Sequence, residues 1–149
     1  MIIVTGAAGF IGSCFARKLN QEGFKDLVLV DDFSFESKKG NLDGVEFHIK
    51  IDRNLFVQWL KKNTATCQAI VHIGARTDTA EFDVDLLNRL NTAYTKELWN
   101  IAVAEGIPFM YASSAATYGL GEQGFADDES SMHLLKPLNP YGQSKLDFD

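Results

Sequence analysis

Apolar and polar positions fall along the chain in blocks. Runs that are almost wholly apolar, Ile2–Thr5, Leu27–Asp31, Ala69–Ile73 and Phe109–Ala112, are separated by longer stretches in which apolar residues recur every three or four positions. Such runs read as strands buried on both faces and the stretches between them as helices, the pattern of a parallel sheet covered by helices. A fifth run, Val45–Ile49, alternates more evenly and is expected nearer a sheet edge. The predicted helices are Phe10–Glu22, with Ile11, Phe15 and Leu19 in register and Gly23 behind it, Asn54–Lys62, and Val84–Glu105, closed by Gly106 and Pro108. No repeat or linker interrupts this order. The predicted fold is therefore α/β, a Rossmann-type doubly wound parallel sheet, in one domain over residues 1–149. Gly119–Pro140 is the long irregular stretch, too polar and glycine-rich for core, and loops of that length are usually functional or mobile.

Composition narrows the function classes. With 46% hydrophobic and 23% charged residues the 149-residue chain is ordinary globular material. No apolar run approaches the ~20 residues of a spanning helix, and the opening Met1-Ile2-Ile3-Val4 lacks a basic flank, so neither a membrane partner nor export is expected, and the location read is cytoplasmic. A net charge of -6, with Lys38-Lys39 and Lys61-Lys62 as isolated doublets, argues against nucleic acid. Cys14 and Cys67 are too few for a disulfide framework and read as core thiols. His48, His72 and His133 share no ligand spacing with them, so no metal is expected, and His72 reads as a satisfied core residue. Pro140-Tyr141-Gly142-Gln143-Ser144-Lys145 looks like the entry to a helix with only four residues after it, so the chain is expected to be the front portion of a longer protein.

Two constellations carry chemistry. Thr5-Gly6-Ala7-Ala8-Gly9-Phe10-Ile11-Gly12 leaves the first strand and opens the first helix with glycines spaced three apart. Gly6 allows the tight turn, Gly9 lets the backbone approach a pyrophosphate, and Gly12 lets the helix pack closely on the sheet, with the helix N-terminus facing the phosphates. Asp31 ends the second strand nineteen positions after Gly12, the distance expected of the group that binds the adenosine ribose of a dinucleotide. Asp31 and Asp32 favour NAD, whereas Lys38 and Lys39, with Arg53 after the third strand, favour the 2′-phosphate of NADP.

The second constellation is Tyr141-x-x-x-Lys145, which puts a phenol and an ammonium on one side of a helix. Phenols titrate near ~10, and a neighbouring ammonium favours the phenolate, making the tyrosine a usable acid/base at neutrality. Ser113 and Ser114 follow the fifth strand at the carboxyl edge where doubly wound sheets bind ligands, and supply a hydroxyl to orient the reacting oxygen.

Taken together, the glycine run at 5–12, Ser113-Ser114-Ala115 and the Tyr141/Lys145 pair resemble the extended short-chain dehydrogenase/reductase family over essentially the whole chain. Ala112-Ser113-Ser114-Ala115-Ala116-Thr117-Tyr118-Gly119, followed by Lys136-Pro137-Leu138-Asn139, is more similar to the heptose 6-epimerases of that family than to its UDP-galactose epimerases or sugar dehydratases. The resemblance implies that Tyr141 is the acid/base, that Lys145 tunes it and holds the nicotinamide ribose, and that Ser114 orients the substrate oxygen. It implies pyrophosphate contacts from the amides of Phe10 and Ile11, an adenosine end framed by Asp31, Asp32, Lys38 and Arg53, and a cofactor wall from Ile73, Gly74 and Ala75. The implied cofactor is NADP, with NAD the alternative. The implied reaction interconverts ADP-D-glycero-D-manno-heptose and its L-glycero epimer for lipopolysaccharide biosynthesis, in a homo-oligomer when full-length. A UDP-sugar 4-epimerase, a dTDP-sugar 4,6-dehydratase and a non-catalytic NAD(P)-binding module remain the alternatives, and this chain alone is expected to be inactive. Ile73 stands where these relatives often carry Glu, Leu90-Asn91 replaces an Asn pair, and the second catalytic lysine of the epimerases has no counterpart before Asp149.

Overall fold

Five short strands share one parallel sheet: β1 (Ile2–Thr5), β2 (Leu27–Asp31), β3 (Ile49–Asp52), β4 (Ala69–His72) and β5 (Phe109–Tyr111). The computed structural model describes residues 1–149. The strand order is β3-β2-β1-β4-β5, with Ile3 facing Val28 on one side and Ile70 on the other. Winding reverses between β1 and β4, so the sheet is doubly wound, and such a reversal opens a crevice at the carboxyl ends of the strands. The predicted fold class is what the chain adopts.

The chain divides into two compact units, Met1–Gly74 with Glu97–Tyr111, and Ala75–Lys96 with Ala112–Asp149. The first holds the sheet, α1 (Phe10–Gln21), α2 (Arg53–Asn63) and most of α4 (Tyr94–Glu105). Its core is apolar, with Ile3, Val4, Leu27, Leu29 and Ile70 wholly buried. The second holds α3 (Val84–Leu87), a π-helical turn at Asn88–Ala93, short 3-10 turns at Ala115–Tyr118 and Glu129–Leu134, and α5 (Pro140–Leu146). Asn139 caps α5 by accepting the Gly142 N–H at 2.8 Å, and Pro140 takes the first helical position, where no N–H is needed.

β1 and β2 have the expected bounds, while other elements differ for identifiable reasons. The run Val45–Ile49 joins the sheet only at its last residue, and β3 continues to Asp52. Asn20 explains the shift: its side chain accepts the Glu46 N–H at 2.7 Å and donates to the Glu46 carbonyl at 2.9 Å, satisfying the groups a strand neighbour would otherwise take. β3 does lie at the sheet edge. β5, expected to be buried on both faces, is the other edge, and Met110 is largely exposed there. Ile73 and Ala112 fall just outside their strands, and the Val84–Glu105 helix is interrupted by the π turn.

On α1 the buried face is Gly12, Ser13 and Ala16, while Ile11 is exposed and Phe15 and Leu19 are only partly covered. Small residues let this helix sit close to the sheet, and the apolar stripe flanks the contact instead of making it. The two cysteines are not core thiols. Cys14 lies on the outer side of α1, and Cys67 is half-buried, its thiol directed at the Asn63 carbonyl, with burial pushing its pKa up. His72 is 1% exposed and satisfied, as expected. No helix is long and apolar enough to cross a membrane, and no group of three or more His, Cys, Asp or Glu side chains is placed to hold a metal ion.

Candidate functional site

In the first unit the turn after β1 is shaped by the absence of side chains. Gly6 has φ +66, and a Cβ there would stand 2.7 Å from Gly74 Cα. A Cβ on Gly12 would collide with the Gly6 carbonyl. These two approaches press the turn, the start of α1 and the end of β4 together. Thr5 adds a polar tie. Its hydroxyl accepts the Gly74 N–H at 3.1 Å and shares a hydrogen bond with His72 Nδ1 at 2.6 Å.

The N-terminus of α1 is left open. Gly9 is its cap residue, no side chain caps it, and no acidic residue lies in its first turn. Phe10 and Ile11, the first two helical residues, are 79% and 65% exposed. Their amides are among the donors that an α-helix leaves without an intrahelical acceptor, the arrangement that attracts phosphate.

At the end of β2 the structure joins the predicted residues in two ion pairs. Asp31 is 7% exposed and accepts from Ala8 N–H and Lys38 Nζ, both at 2.8 Å, and from Asp32 N–H at 2.7 Å. Asp32 pairs with Arg53 at 3.1 Å. Its carboxyl is held below the usual value first by the hydroxyl and N–H of Ser34, with Arg53 and Lys38 adding to the effect. Lys39 is turned to Glu36 instead, at 2.6 Å. Ile73 packs against the core beside Gly74, and Ala75 opens the second unit.

In the second unit Tyr141 and Lys145 occupy successive turns of α5 and are 8% and 7% exposed. Lys145 Nζ donates to the Ala112 carbonyl at 2.8 Å, leaving two further N–H groups for other acceptors. Burial pushes the Lys145 ammonium down from the ordinary lysine value, and Asp149 acts in the opposite direction. Ser114 is half-buried and caps the turn Ala115–Tyr118 by accepting the Ala116 N–H at 3.2 Å. α5 lies directly on that turn, because a Cβ at Gly142 would stand 2.7 Å from the Ala116 carbonyl. The serine turn and the Tyr141/Lys145 helix are thus brought together within one unit.

Residues 2–149 match the NAD dependent epimerase/dehydratase family. The chain belongs to that family. The ADP-L-glycero-D-manno-heptose-6-epimerase of Fusobacterium nucleatum is 48% identical over 153 residues, which cover all of this chain and 46% of that protein. The crystal structure of the Helicobacter pylori ADP-L-glycero-D-manno-heptose-6-epimerase superposes with a TM-score of 0.83 at 29% identity, over 99% of this chain and 48% of the other. The UDP-glucose 4-epimerase of Brucella ovis, solved in complex with NAD, gives a TM-score of 0.72 at 27% identity, over 97% of this chain and 44% of the other. The chain therefore spans about half the length of the curated relatives it matches.

Within this epimerase/dehydratase chain, sequence reasoning overlooked the polar residues behind the site. Asn91 entered it only as the remnant of an Asn pair, yet it is 2% exposed and bonds the Arg76 backbone and the Ser144 hydroxyl. A signal was available: an asparagine and a threonine on the inward face of a helix have to find partners. Which partners they find depends on contacts between residues more than fifty positions apart, and one sequence does not contain those.

Proposed function

We propose that this chain is the NADP-binding part of a nucleotide-sugar epimerase that interconverts ADP-D-glycero-D-manno-heptose and ADP-L-glycero-D-manno-heptose by transient oxidation at C6. The similarity to heptose 6-epimerases supports the substrate, and the burial of Lys145 one turn from Tyr141, tied to the segment that carries Ser114, carries the chemistry.

The residues present fit a dinucleotide. A Cβ on Gly6 or Gly12 would collide with backbone and force the turn open, and the uncapped start of α1 offers the amides of Phe10, Ile11 and Gly12 to the pyrophosphate. Gly9 leaves the approach unobstructed, and Ile73, Gly74 and Ala75 are the residues after β4 that would line the cofactor. At the adenosine end the charges of Asp31 and Asp32 are each countered by a cation, Lys38 and Arg53, so the repulsion of a 2′-phosphate by the two carboxylates is offset. This supports NADP over NAD. When bound, the nicotinamide supplies a two-electron acceptor that takes a hydride from the sugar carbon and returns it to the opposite face.

The chain's own residues do the rest. Tyr141 takes the hydroxyl proton as the carbonyl forms and gives it back on return. Lys145, one turn from Tyr141 and held by its bond to Ala112, would favour the phenolate and hold the nicotinamide ribose with its remaining N–H groups. Ser114 donates to the substrate oxygen and orients it.

Calorimetry on this chain tests the cofactor assignment directly. NADP is expected to bind more tightly than NAD, and Lys38→Met to remove most of that preference. Binding of neither dinucleotide would defeat the reading, and tighter binding of NAD would move the assignment to NAD. In the protein that turns over, Tyr141→Phe is expected to lower the rate by about 10²–10⁴-fold with NADP affinity retained.

A further inference from the structure

The helix that carries Tyr141 and Lys145 is held by buried polar groups with no part in the reading above. Ser144 is 5% exposed. Its hydroxyl donates to the Tyr141 carbonyl at 2.7 Å, and since a hydroxyl has one proton, the same oxygen is the acceptor for Asn91 Nδ2 at 2.9 Å. The Ser144 carbonyl accepts the Thr92 hydroxyl at 2.8 Å. The end of the helix leaves that carbonyl free for Thr92: the Asp147 N–H goes to Gln143, and those of Phe148 and Asp149 both go to Lys145.

Asn91 is itself immobilised. Its Oδ1 accepts the Arg76 N–H at 2.8 Å, and its Nδ2 donates to the Arg76 carbonyl at 3.1 Å as well as to Ser144. Reversing the amide would set its NH₂ against the Arg76 N–H, so the orientation is determined. Asn91 and Thr92 are consecutive in the π turn, whose wider coil lets both reach the same residue.

We infer that Ser144 is a positioning residue: by receiving Asn91 at its hydroxyl and Thr92 at its carbonyl, it fixes the rotation of α5 about its axis and hence the placement of Tyr141 and Lys145. Helix formation does not explain the serine, because alanine is the better helix former. A hydroxyl that accepts from one element and donates within its own helix is what a rotational lock requires. Ser144 directly precedes Lys145 and follows Tyr141 by three positions, so any rotation of α5 moves all three. The inference rests on the proposed roles of Tyr141 and Lys145 for its functional meaning, while the lock can be read without turnover.

The test is NMR of this chain with ¹³Cε-labelled lysine, which reads the titration of Lys145 against that of the exposed lysines. In the unsubstituted chain Lys145 titrates below them, because burial opposes its charge. Ser144→Ala and Thr92→Val are each expected to return the Lys145 midpoint toward the exposed lysines by about half a unit or more. The double variant should add little to either, and Thr92→Ser should restore the original midpoint. A lowered melting temperature with an unmoved Lys145 midpoint would mean a merely structural role and would overturn the inference. Thr92→Val alone decides the matter if Ser144→Ala does not fold. Calorimetry with NADP on the same samples keeps the two readings apart: a chain that binds no NADP defeats the cofactor assignment, and the Lys145 midpoints still judge the lock.

Discussion

The buried apolar residues of the molecule, Leu87 and Tyr141 apart, all lie in the unit that holds the sheet. The other unit buries Asn91, Thr92, Thr95, Thr117, Ser144 and Lys145. The two regions are held by different forces. In the sheet unit, positions follow from apolar burial, about 1.5–3 kcal/mol for each large side chain, and from backbone approaches that only glycine permits. In the other, they follow from hydrogen bonds, each contributing about 1 kcal/mol net but costly to leave half-made. The groups assigned to phosphate are set by sterics, and the groups assigned to proton transfer by polar bonds that a small change can redirect.

The strongest way to break this comparison is to restore a side chain where sterics forbid one. Gly12→Val puts a Cβ onto the Gly6 carbonyl, with neighbours that are backbone and cannot move aside. A loss on the order of 3 kcal/mol or more is expected, or failure to fold. Gly40 is the control: the nearest atom to a Cβ there is an Asp43 carboxylate oxygen at 3.8 Å, and Gly40→Ala should stay within about 0.5 kcal/mol. Urea unfolding of the two variants side by side decides the point, and equal effects would remove sterics as the organising force of the turn.

The next test concerns local stability. Amides in β1, β2 and β4 should exchange more slowly than those of α5 by about a hundredfold or more, because opening the sheet exposes its apolar core whereas opening α5 breaks chiefly hydrogen bonds. Hydrogen exchange followed by NMR resolves both sets. Equal protection would show that the polar unit opens only with the whole chain.

The same division explains what could be read from the sequence. β1 and β2 are apolar runs whose partners are other apolar runs, and their bounds needed only hydrophobic period and the glycine turn. Gly6, Gly12, Asp31, Tyr141 and Lys145 stood out because spacing alone gives them a shared turn, strand end or helix face. Asn20 shortening the third strand, the π turn inside the long helix, and the Asn91–Ser144 bond were not legible. The first and the last depend on side-chain bonds between distant positions, and no local periodicity encodes any of the three. Cys14 misled because average burial says nothing about which face of α1 a given residue occupies.

Lys145 sharpens the comparison with a smaller effect. Its buried ammonium titrates below the ordinary lysine value of 10.5, so between its own lowered value and 10.5 the unfolded chain holds a proton the folded chain has released. Stability contributed by this group therefore rises as pH climbs through that window, and at neutral pH the charge is a cost. Lys145→Met is expected to leave stability at pH 7 unchanged or raised by up to about 1 kcal/mol and to remove the alkaline rise, while weakening NADP binding. A large loss of stability at pH 7 would show that the bond to Ala112 outweighs burial of the charge.

Asp32, in the sheet unit, is a charge that stabilises where that of Lys145 is a cost, with the smallest effect expected. The Ser34 hydroxyl and N–H, followed by Arg53 and Lys38, hold its carboxyl below the ordinary value of 3.8. A depressed carboxyl contributes stability that is complete above its unfolded pKa and disappears as pH falls through its folded one, so the window lies on the acid side of 3.8. Asp32→Asn should cost a few tenths of a kcal/mol at pH 6, since Asp32 and Arg53 are both partly solvated, and the difference should vanish toward pH 2. Urea midpoints across that range measure it. If the gap persisted at pH 2, the effect of Asp32 would lie in the shape of its Ser34 turn, and charge in this unit would matter as little to stability as the apolar core implies.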